Sequence, residues 1–248
     1  MVQQQNKQDI IKRLQKDILL LQGFKAVDAG NVTKFGLGAI EAAFPNSVFP
    51  TGAIHEFLTM QPDHAAACSG FIAGILKTLM AQGGTCLWIG TSRRLFPPSL
   101  MAFDIPPERV IFVDANQEKE VLWVMEQALK CEGLAAVIAE VKEISIIQSR
   151  RLQLAVESSK VTGFLLRNDP KKLSANTCVA RWKISPLPSA LEDELPGVGF
   201  PRWQVDLLRV RNGNPGSWKL EWSAGHFNAI EDKPEVTPFE IRVLKQYA

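Results

Sequence analysis

The chain has 248 residues, of which 46% are hydrophobic and 22% charged, and its formal net charge at pH 7 is +2. This composition is typical of a globular protein and excludes a disordered, collagen-like or disulfide-framework chain. The apolar runs are shorter than the ~18 residues of a membrane-spanning helix, and the first residues are polar and lack the apolar region of a signal peptide. We therefore expect a cytoplasmic protein that does not enter a membrane.

The first predicted element is an amphipathic helix over residues 8–21. Its apolar residues recur with the helical period and are Ile10, Ile11, Leu14, Ile18 and Leu21. The glycine-containing stretch 23–34 predicts a linker, so residues 1–33 form a unit of their own. We expect Ile10, Leu14, Ile18 and Leu21 to contact a partner or a second copy of the chain. Packing of this helix on the chain's own core is the alternative.

From residue 34 the pattern predicts an α/β domain. A short helix over 37–44 is followed by strands at 52–58, 85–89, 109–113, 134–139 and 162–166. Helices are predicted between successive strands, over 65–81, 96–103, 117–131 and 144–159. Short apolar strands that alternate with helices are typical of a mostly parallel sheet with helices on both faces.

After residue 168 the pattern changes to alternating polar and apolar residues, which predicts antiparallel strands at 177–184 and 204–211. The stretch 185–201 is too rich in Pro and Gly to be regular. Asn212-Gly213 predicts the turn of a hairpin. We expect the core domain to span 34–222 and residues 223–248 to be a loosely ordered tail.

Residues that bind nucleotides or catalyse reactions are missing from the expected places. The loop after the first strand reads LTMQPDHAAACSGF, and it lacks the Gly-Lys pair with which a phosphate loop holds a nucleotide. Glu140, which follows the strand at 134–139, is expected to cap the next helix rather than to bind a metal. The four cysteines lie far apart and predict buried thiols in a reducing compartment, not a zinc site. No cofactor, metal or catalytic triad is therefore expected.

A basic stretch and several tryptophans are candidates for binding. Residues 142–183 contain nine Lys and Arg but only three Asp and Glu. Arg150, Arg151, Lys171 and Lys172 are therefore candidate DNA-binding residues, and a solvated helix face is the alternative interpretation. Trp203 and Trp218, together with Trp222, are candidate anchors for a protein partner if they are exposed.

Several segments together resemble one family. FGLGAIEAAFPNSVFPTGAIHEF, GGTCLWIG and IPPERVIFVDANQEKEVLWVMEQAL resemble the entry, second strand and third strand of a RecA-type core. RRLQLAVESSKVTGFLLRN resembles the helix and strand that follow the Walker B position. RWKISPLPS and WQVDLLRVRNGNPGSWKLEW are most similar to the ImuA family, the RecA-like accessory proteins of bacterial SOS mutagenesis within the RecA/SulA superfamily. The resemblance extends from about residue 34 to residue 222.

The resemblance implies a RecA-like core with a degenerate nucleotide site. The family's phosphate loop falls on residues 59–69, which include His64 and Ser69, and its Lys and Thr are absent. The position of the catalytic glutamate falls on Ser92 and that of the Walker B aspartate on Glu140. The long loops by which RecA contacts DNA have no room between 141 and 150 or between 166 and 177. No ATPase activity is expected.

The function implied by the resemblance is that of a non-catalytic adaptor in damage-induced, error-prone translesion DNA synthesis. Its implied partners are an ImuB-type Y-family polymerase-like protein, RecA and an error-prone replicative-type polymerase. Weak binding of single-stranded DNA through the basic stretch is an alternative. A SulA-like inhibitor of cell division is a second one, and a residual nucleotide-dependent enzyme is the least favoured.

Overall fold

A computed structural model describes Leu14 and residues 33–171, 173–190 and 199–231. The strands are β1 Ile54–Thr59, β2 Thr85–Gly90, β3 Val110–Asp114, β4 Leu134–Val141, β5 Thr162–Asn168, β6 Ala180–Ala190, β7 Phe200–Val210, β8 Gly216–Ser223 and β9 His226–Ala229. The α-helices are α1 Pro62–Leu79, α2 Glu118–Ala128 and α3 Ile146–Ser159. Short 3-10 helices cover Gly38–Ala43, Pro45–Ser47, Pro97–Phe103 and Pro107–Arg109.

All of these strands belong to one sheet, in the order β3-β2-β4-β5-β1-β6-β7-β8-β9. The pairs from β3 to β6 are parallel, and the pairs from β6 to β9 are antiparallel. The predicted architecture, a mostly parallel sheet flanked by helices with antiparallel strands at its C-terminal end, is confirmed. Successive β1 residues face opposite sides of the sheet.

The sheet has a hydrophobic layer on each face. One layer contains residues of α1, of the 3-10 helices and of the antiparallel strands, with Trp182 at its centre, where its ring stacks on that of Phe57 at 5.8 Å. The other layer contains residues of α2 and α3, together with Ile54 of β1. Both faces of the parallel part are thus buried, which explains why its strands are continuous apolar runs.

The antiparallel strands extend into the stretch predicted to be irregular. β6 continues through Pro186 and Pro188 to Ala190, whereas its pairing with β1 ends at Lys183. Beyond Lys183, among the residues that the structure describes, β6 forms ladder pairs along the edge that faces β7 and not along the opposite edge. Proline has no N–H to donate, so it is tolerated where one strand edge makes no ladder hydrogen bonds.

The sheet also extends beyond the predicted end of the core at residue 222. β9 pairs with β8, and Phe227 is buried against the ring of Trp222 at 4.9 Å. A strand of four residues lies at the lower limit of a recognisable alternation. The ordered core therefore includes the first residues of the segment that was predicted to be a loose tail.

Candidate functional site

The carboxyl ends of the parallel strands form the edge at which α/β sheets hold ligands. Only Met60 and Gln61 connect β1 to α1. Pro62 begins the helix without an N–H group, and the carboxylate of Asp63 accepts a hydrogen bond from the His64 N–H at 2.9 Å. A phosphate group at a helix N-terminus depends on free N–H groups and a positive end of the helix dipole. Here the chain's own carboxylate occupies that position.

His64 and Ser69, which the resemblance places in the phosphate loop, both lie inside α1. The Ser69 hydroxyl donates to the Ala65 carbonyl, one turn earlier, at 2.9 Å. His64 is half-buried in the first turn. The residues at the family's phosphate-binding positions thus belong to a regular helix and do not form a loop.

Glu140 is held by side chains of neighbouring strands. The Trp88 indole donates to one of its oxygens at 2.7 Å, and the Asn168 amide donates to the other at 3.3 Å. The Thr59 hydroxyl donates to the Asn168 side-chain oxygen at 2.7 Å. This polar chain crosses β2, β4, β5 and β1, which are neighbours in that order. Both Glu140 oxygens are therefore engaged within the protein.

The prediction that Glu140 caps the following helix is wrong. α3 is capped instead by Ser145, whose hydroxyl accepts from the Gln148 N–H while the Gln148 side chain accepts from the Ser145 N–H. Glu140 lies on β4 and reaches sideways across the sheet to Trp88 and Asn168, not forward to the helix.

Ser92, at the position of the family's catalytic glutamate, lies in an exposed stretch after β2. Its neighbour Arg93 pairs with Asp114 at 2.7 Å and lies over the ring of Phe112. Among the described residues, no group of three or more His, Cys, Asp or Glu side chains has the geometry of a metal site.

A second cluster of charges, which the sequence analysis missed, lies on the face of the sheet that carries α2 and α3. Glu56 of β1 and Arg167 of β5 are both 0% exposed and pair at 3.0 Å. Glu56 also pairs with Arg181 of β6, and Arg167 pairs with Glu143 at 2.6 Å. A buried charge requires such pairing. The sequence signal was a Glu and an Arg inside apolar strands.

The same cluster holds the connection between β5 and β6. Arg181 donates to the Ser174 carbonyl at 2.7 Å, and the Lys171 N–H donates to Glu143 at 2.8 Å. Arg209 donates to the backbone carbonyls of Asn176 and Cys178. These hydrogen bonds hold the β5–β6 connection against the sheet.

The connection between β4 and α3 is short and comprises residues 142–145.

The candidate DNA-binding residues are placed on two elements. Arg150 and Arg151 are exposed on α3, where Arg151 pairs with Glu126 of α2 at 2.6 Å. Lys171 is exposed after β5, and Lys172 lies outside the described residues. Direct DNA binding by these residues stays a prediction.

The candidate partner-binding residues differ in exposure. Trp203 and Trp222 are buried in the core, so they do not meet the condition of exposure on which their proposed role depended. Trp218 is half-buried and packs against the same core. Alternation along β7 and β8 places all three on the face that packs against α1.

Leu14 is 55% exposed, as a partner-binding residue requires. Ile10, Ile18 and Leu21 lie outside the described residues. Their proposed contact with a partner stays a prediction.

The predicted burial of the cysteines holds for three of them. Cys68, Cys86 and Cys178 are buried, and burial raises the pKa of each thiol to about 12. Cys131, in the turn between α2 and β4, is exposed, so the prediction is wrong for this residue. None of the described helices is long and apolar enough to cross a membrane.

Comparisons with known proteins agree with this architecture. No family model matches the chain. Protein ImuA of Caulobacter vibrioides, in strains NA1000 / CB15N and ATCC 19089 / CIP 103742 / CB 15, is 34% identical to the chain over 208 residues, which cover 79% of this chain and 85% of that protein. The chain belongs to the ImuA family. A crystal structure of the RadB recombinase is similar with a TM-score of 0.56 and 14% identity, and the match covers 80% of this chain and 100% of that one.

The similarity to RadB shows that this ImuA family member has a RecA-like fold. At the carboxyl edge of the parallel strands, Asp63 accepts a hydrogen bond at the start of α1, and Glu140 accepts hydrogen bonds from Trp88 and Asn168.

Proposed function

We propose that this protein is a non-catalytic, RecA-like adaptor that acts in the cytoplasm during damage-induced, error-prone translesion DNA synthesis. It would bring together protein partners, namely an ImuB-type Y-family polymerase-like protein, RecA and an error-prone replicative-type polymerase. The membership of the ImuA family supports the role in SOS mutagenesis. The choice of partners rests on the family resemblance.

The start of α1 is the main observation that supports the proposed absence of ATPase turnover. The connection of two residues between β1 and α1 leaves no loop to surround a phosphate, and Asp63 lies at the helix end that would have to attract it. A carboxylate at that end repels a triphosphate, and no Lys is present to offset its charge. At the Walker B position implied by the resemblance, both oxygens of Glu140 already accept hydrogen bonds, from Trp88 and Asn168.

Titration calorimetry with MgATP and the purified full-length chain tests this part. We expect no heat of binding at micromolar ATP and no phosphate release. Asp63→Asn is the matched variant, because it removes the charge and preserves the size of the side chain. Micromolar affinity in the wild-type chain would contradict the proposal.

Complementation tests the cellular role. A strain lacking the gene is expected to lose damage-induced mutagenesis and to regain it with the wild-type chain. Survival and mutation frequency after ultraviolet irradiation are the measurements. Unchanged mutation frequency in the deletion strain would contradict a role in translesion synthesis.

A further inference from the structure

The outer surface of α2 and α3 carries large apolar side chains that face solvent. Trp123 of α2 is 59% exposed, and Ile147 and Leu154 of α3 are 72% and 51% exposed. The sheet-facing sides of the same helices bury other residues, such as Met125 and Leu152. These helices therefore have a second apolar face that their own core does not use.

One ion pair joins the outer sides of the two helices. Arg151 pairs with Glu126 at 2.6 Å across the two helices. On α3, Ile147 and Leu154 lie four positions before and three positions after Arg151, so they flank it on one stripe. On α2, Trp123 lies three positions before Glu126 and therefore on the same side. We define the α2–α3 surface as five residues, the three exposed apolar residues and the two arginines beside them: Trp123, Ile147, Leu154, Arg150 and Arg151.

The charge of this surface is positive. Glu126 is shared by Arg151 and Lys130, the latter at 3.3 Å. Arg150 has only a distant contact with Glu157, at 3.9 Å, and both side chains are about half exposed. Lys119 and Glu120 lie four and three positions before Trp123 on α2. Four cations thus lie beside three carboxylates, and the half-exposed guanidinium groups of Arg150 and Arg151 retain solvent-facing donors beside the apolar residues.

The chain's own N-terminal segment is a poor match for this surface. Residues 1–32 contain five Lys and Arg but three Asp, so the segment has the same sign of charge as the surface. The same repulsion applies when the segment belongs to a second copy. Like charges across an interface disfavour association.

A nucleic acid is a poor match as well. A phosphate backbone would pair with the cations but leave the exposed side chains of Ile147 and Leu154 in contact with water. Binding of single strands relies on aromatic platforms beside free cations, whereas two of the three apolar residues here are aliphatic.

We infer that the α2–α3 surface binds an acidic amphipathic segment of a partner protein. The apolar residues of that segment cover Trp123, Ile147 and Leu154, and its carboxylates pair with Arg150 and Arg151. Aromatic and arginine side chains are the residue types that dominate such interfaces. The inference rests on the proposed adaptor function and adds the surface and the chemistry of one partner.

Binding of two designed peptides tests the inference. The first is a fluorescein-labelled helical peptide with a stripe of Leu flanked by Glu, and the second has Lys in place of each Glu. In fluorescence polarisation with the full-length chain, we expect the acidic peptide to bind at least about tenfold more tightly at low salt, with a smaller ratio at high salt. Equal affinity for the two peptides, or preference for the basic one, would overturn the inference.

Variants locate the binding on the chain. Ile147→Ser combined with Leu154→Ser is expected to weaken binding of the acidic peptide about tenfold. Leu208→Ser is the matched control, because Leu208 is an exposed leucine of β7, on the antiparallel part of the sheet. Arg150→Glu is expected to weaken binding of the acidic peptide and strengthen binding of the basic one, and Arg94→Glu, on the exposed stretch after β2, is its control. Equal effects of test and control variants would overturn the location.

Cross-linking in damaged cells identifies the segment itself. A photo-reactive residue at position 147 is expected to capture an acidic, apolar segment of another protein, whereas one at position 208 is not. Capture of residues 1–32 of the same chain, of a second copy or of DNA would overturn the inference.

The complementation assay separates this inference from the proposed function. The deletion strain could show a normal mutation frequency while the chain still prefers the acidic peptide and the Ile147→Ser, Leu154→Ser variant still binds it more weakly. That result would support the binding surface and contradict the translesion role. If complementation succeeds equally well with Ile147→Ser combined with Leu154→Ser, and this variant binds the acidic peptide normally, the role stands and the surface falls.

Discussion

The two parts of the sheet carry charged side chains in different environments. In the parallel part, Glu56 and Arg167 pair with no exposure to solvent, and the helices on both faces exclude water. In the antiparallel part, Arg202 of β7 and Glu221 of β8 pair at 2.7 Å with both side chains partly exposed. We therefore expect the buried pair to be essential for stability, because water cannot replace a lost partner there, and the partly exposed pair to contribute little.

The largest expected effect comes from breaking the buried pair. Glu56→Gln preserves the shape of the side chain but leaves Arg167 and Arg181 without their shared countercharge. Removing one partner of a buried ion pair costs about 3–5 kcal/mol, so the free energy of unfolding in urea should fall by that amount.

The matched control in the antiparallel part is Glu221→Gln. An exposed pair contributes at most about 1 kcal/mol. Equal losses of stability for the two variants would mean that the Glu56 cluster is hydrated, in conflict with its burial.

The second effect concerns His55, a buried histidine of the parallel part. His55 of β1 stacks on Phe49, its Nε2 lies 2.7 Å from the Pro50 carbonyl, and its Nδ1 accepts from the Trp182 indole. Desolvation lowers the pKa of the ring from 6.5 to about 4, although the hydrogen bond to Pro50 opposes this shift. The folded protein therefore takes up this proton less readily than the unfolded chain.

Because the folded pKa is the lower one, the stabilising effect is present above pH 6.5 and is lost as the pH falls towards 4. The shift corresponds to about 3 kcal/mol. Urea unfolding at several pH values should show this loss in the wild-type chain and a shallower slope in His55→Gln.

A smaller effect is expected at the Walker B position. Glu140→Ala leaves the buried Trp88 indole without its acceptor, which costs about 1–3 kcal/mol. The melting temperature should fall, while damage-induced mutagenesis in the complementation assay should remain near the wild-type level. Complete loss of mutagenesis with a folded variant would indicate a metal-binding role for Glu140.

The smallest effect on stability is expected for the candidate DNA-binding residues. Replacing Arg150, Arg151, Lys171 and Lys172 by Ala should change the free energy of unfolding little. The loss of the ion pair between Arg151 and Glu126 is the main contribution. If the chain binds single-stranded DNA, the affinity should be weak, should fall with salt at a log–log slope of about −0.7 per phosphate contact, and should vanish in this variant. Binding that persists in the variant or at high salt would contradict this placement.

The sequence predicted the alternation of the parallel part because each of its strands is an apolar run bounded by polar turns. It also predicted the turn at Asn212-Gly213. Asn212 has a φ of +57° there, a backbone conformation that Asn tolerates better than most residues do. The resemblance predicted the family, and 34% identity to Protein ImuA confirmed it.

The sequence could not predict the partners of its buried charges. Trp88 and Glu140 are 52 positions apart, and Glu56 and Arg181 are 125 apart. Their contacts depend on which strands become neighbours in the sheet, in the order β2-β4-β5-β1-β6. Crossover connections set this order, and the residues of a single strand do not indicate which strand will lie beside it.

The sequence by itself determined the elements, the family and the missing phosphate loop, because these depend on residue types and spacing along the chain. Only the tertiary structure decided which tryptophans are buried, where the charges pair and which apolar residues remain exposed. Trp203 and Trp123 are the same residue type, and one lies in the core while the other faces solvent. The difference arises because burial depends on what packs against a residue, and long-range packing decides that.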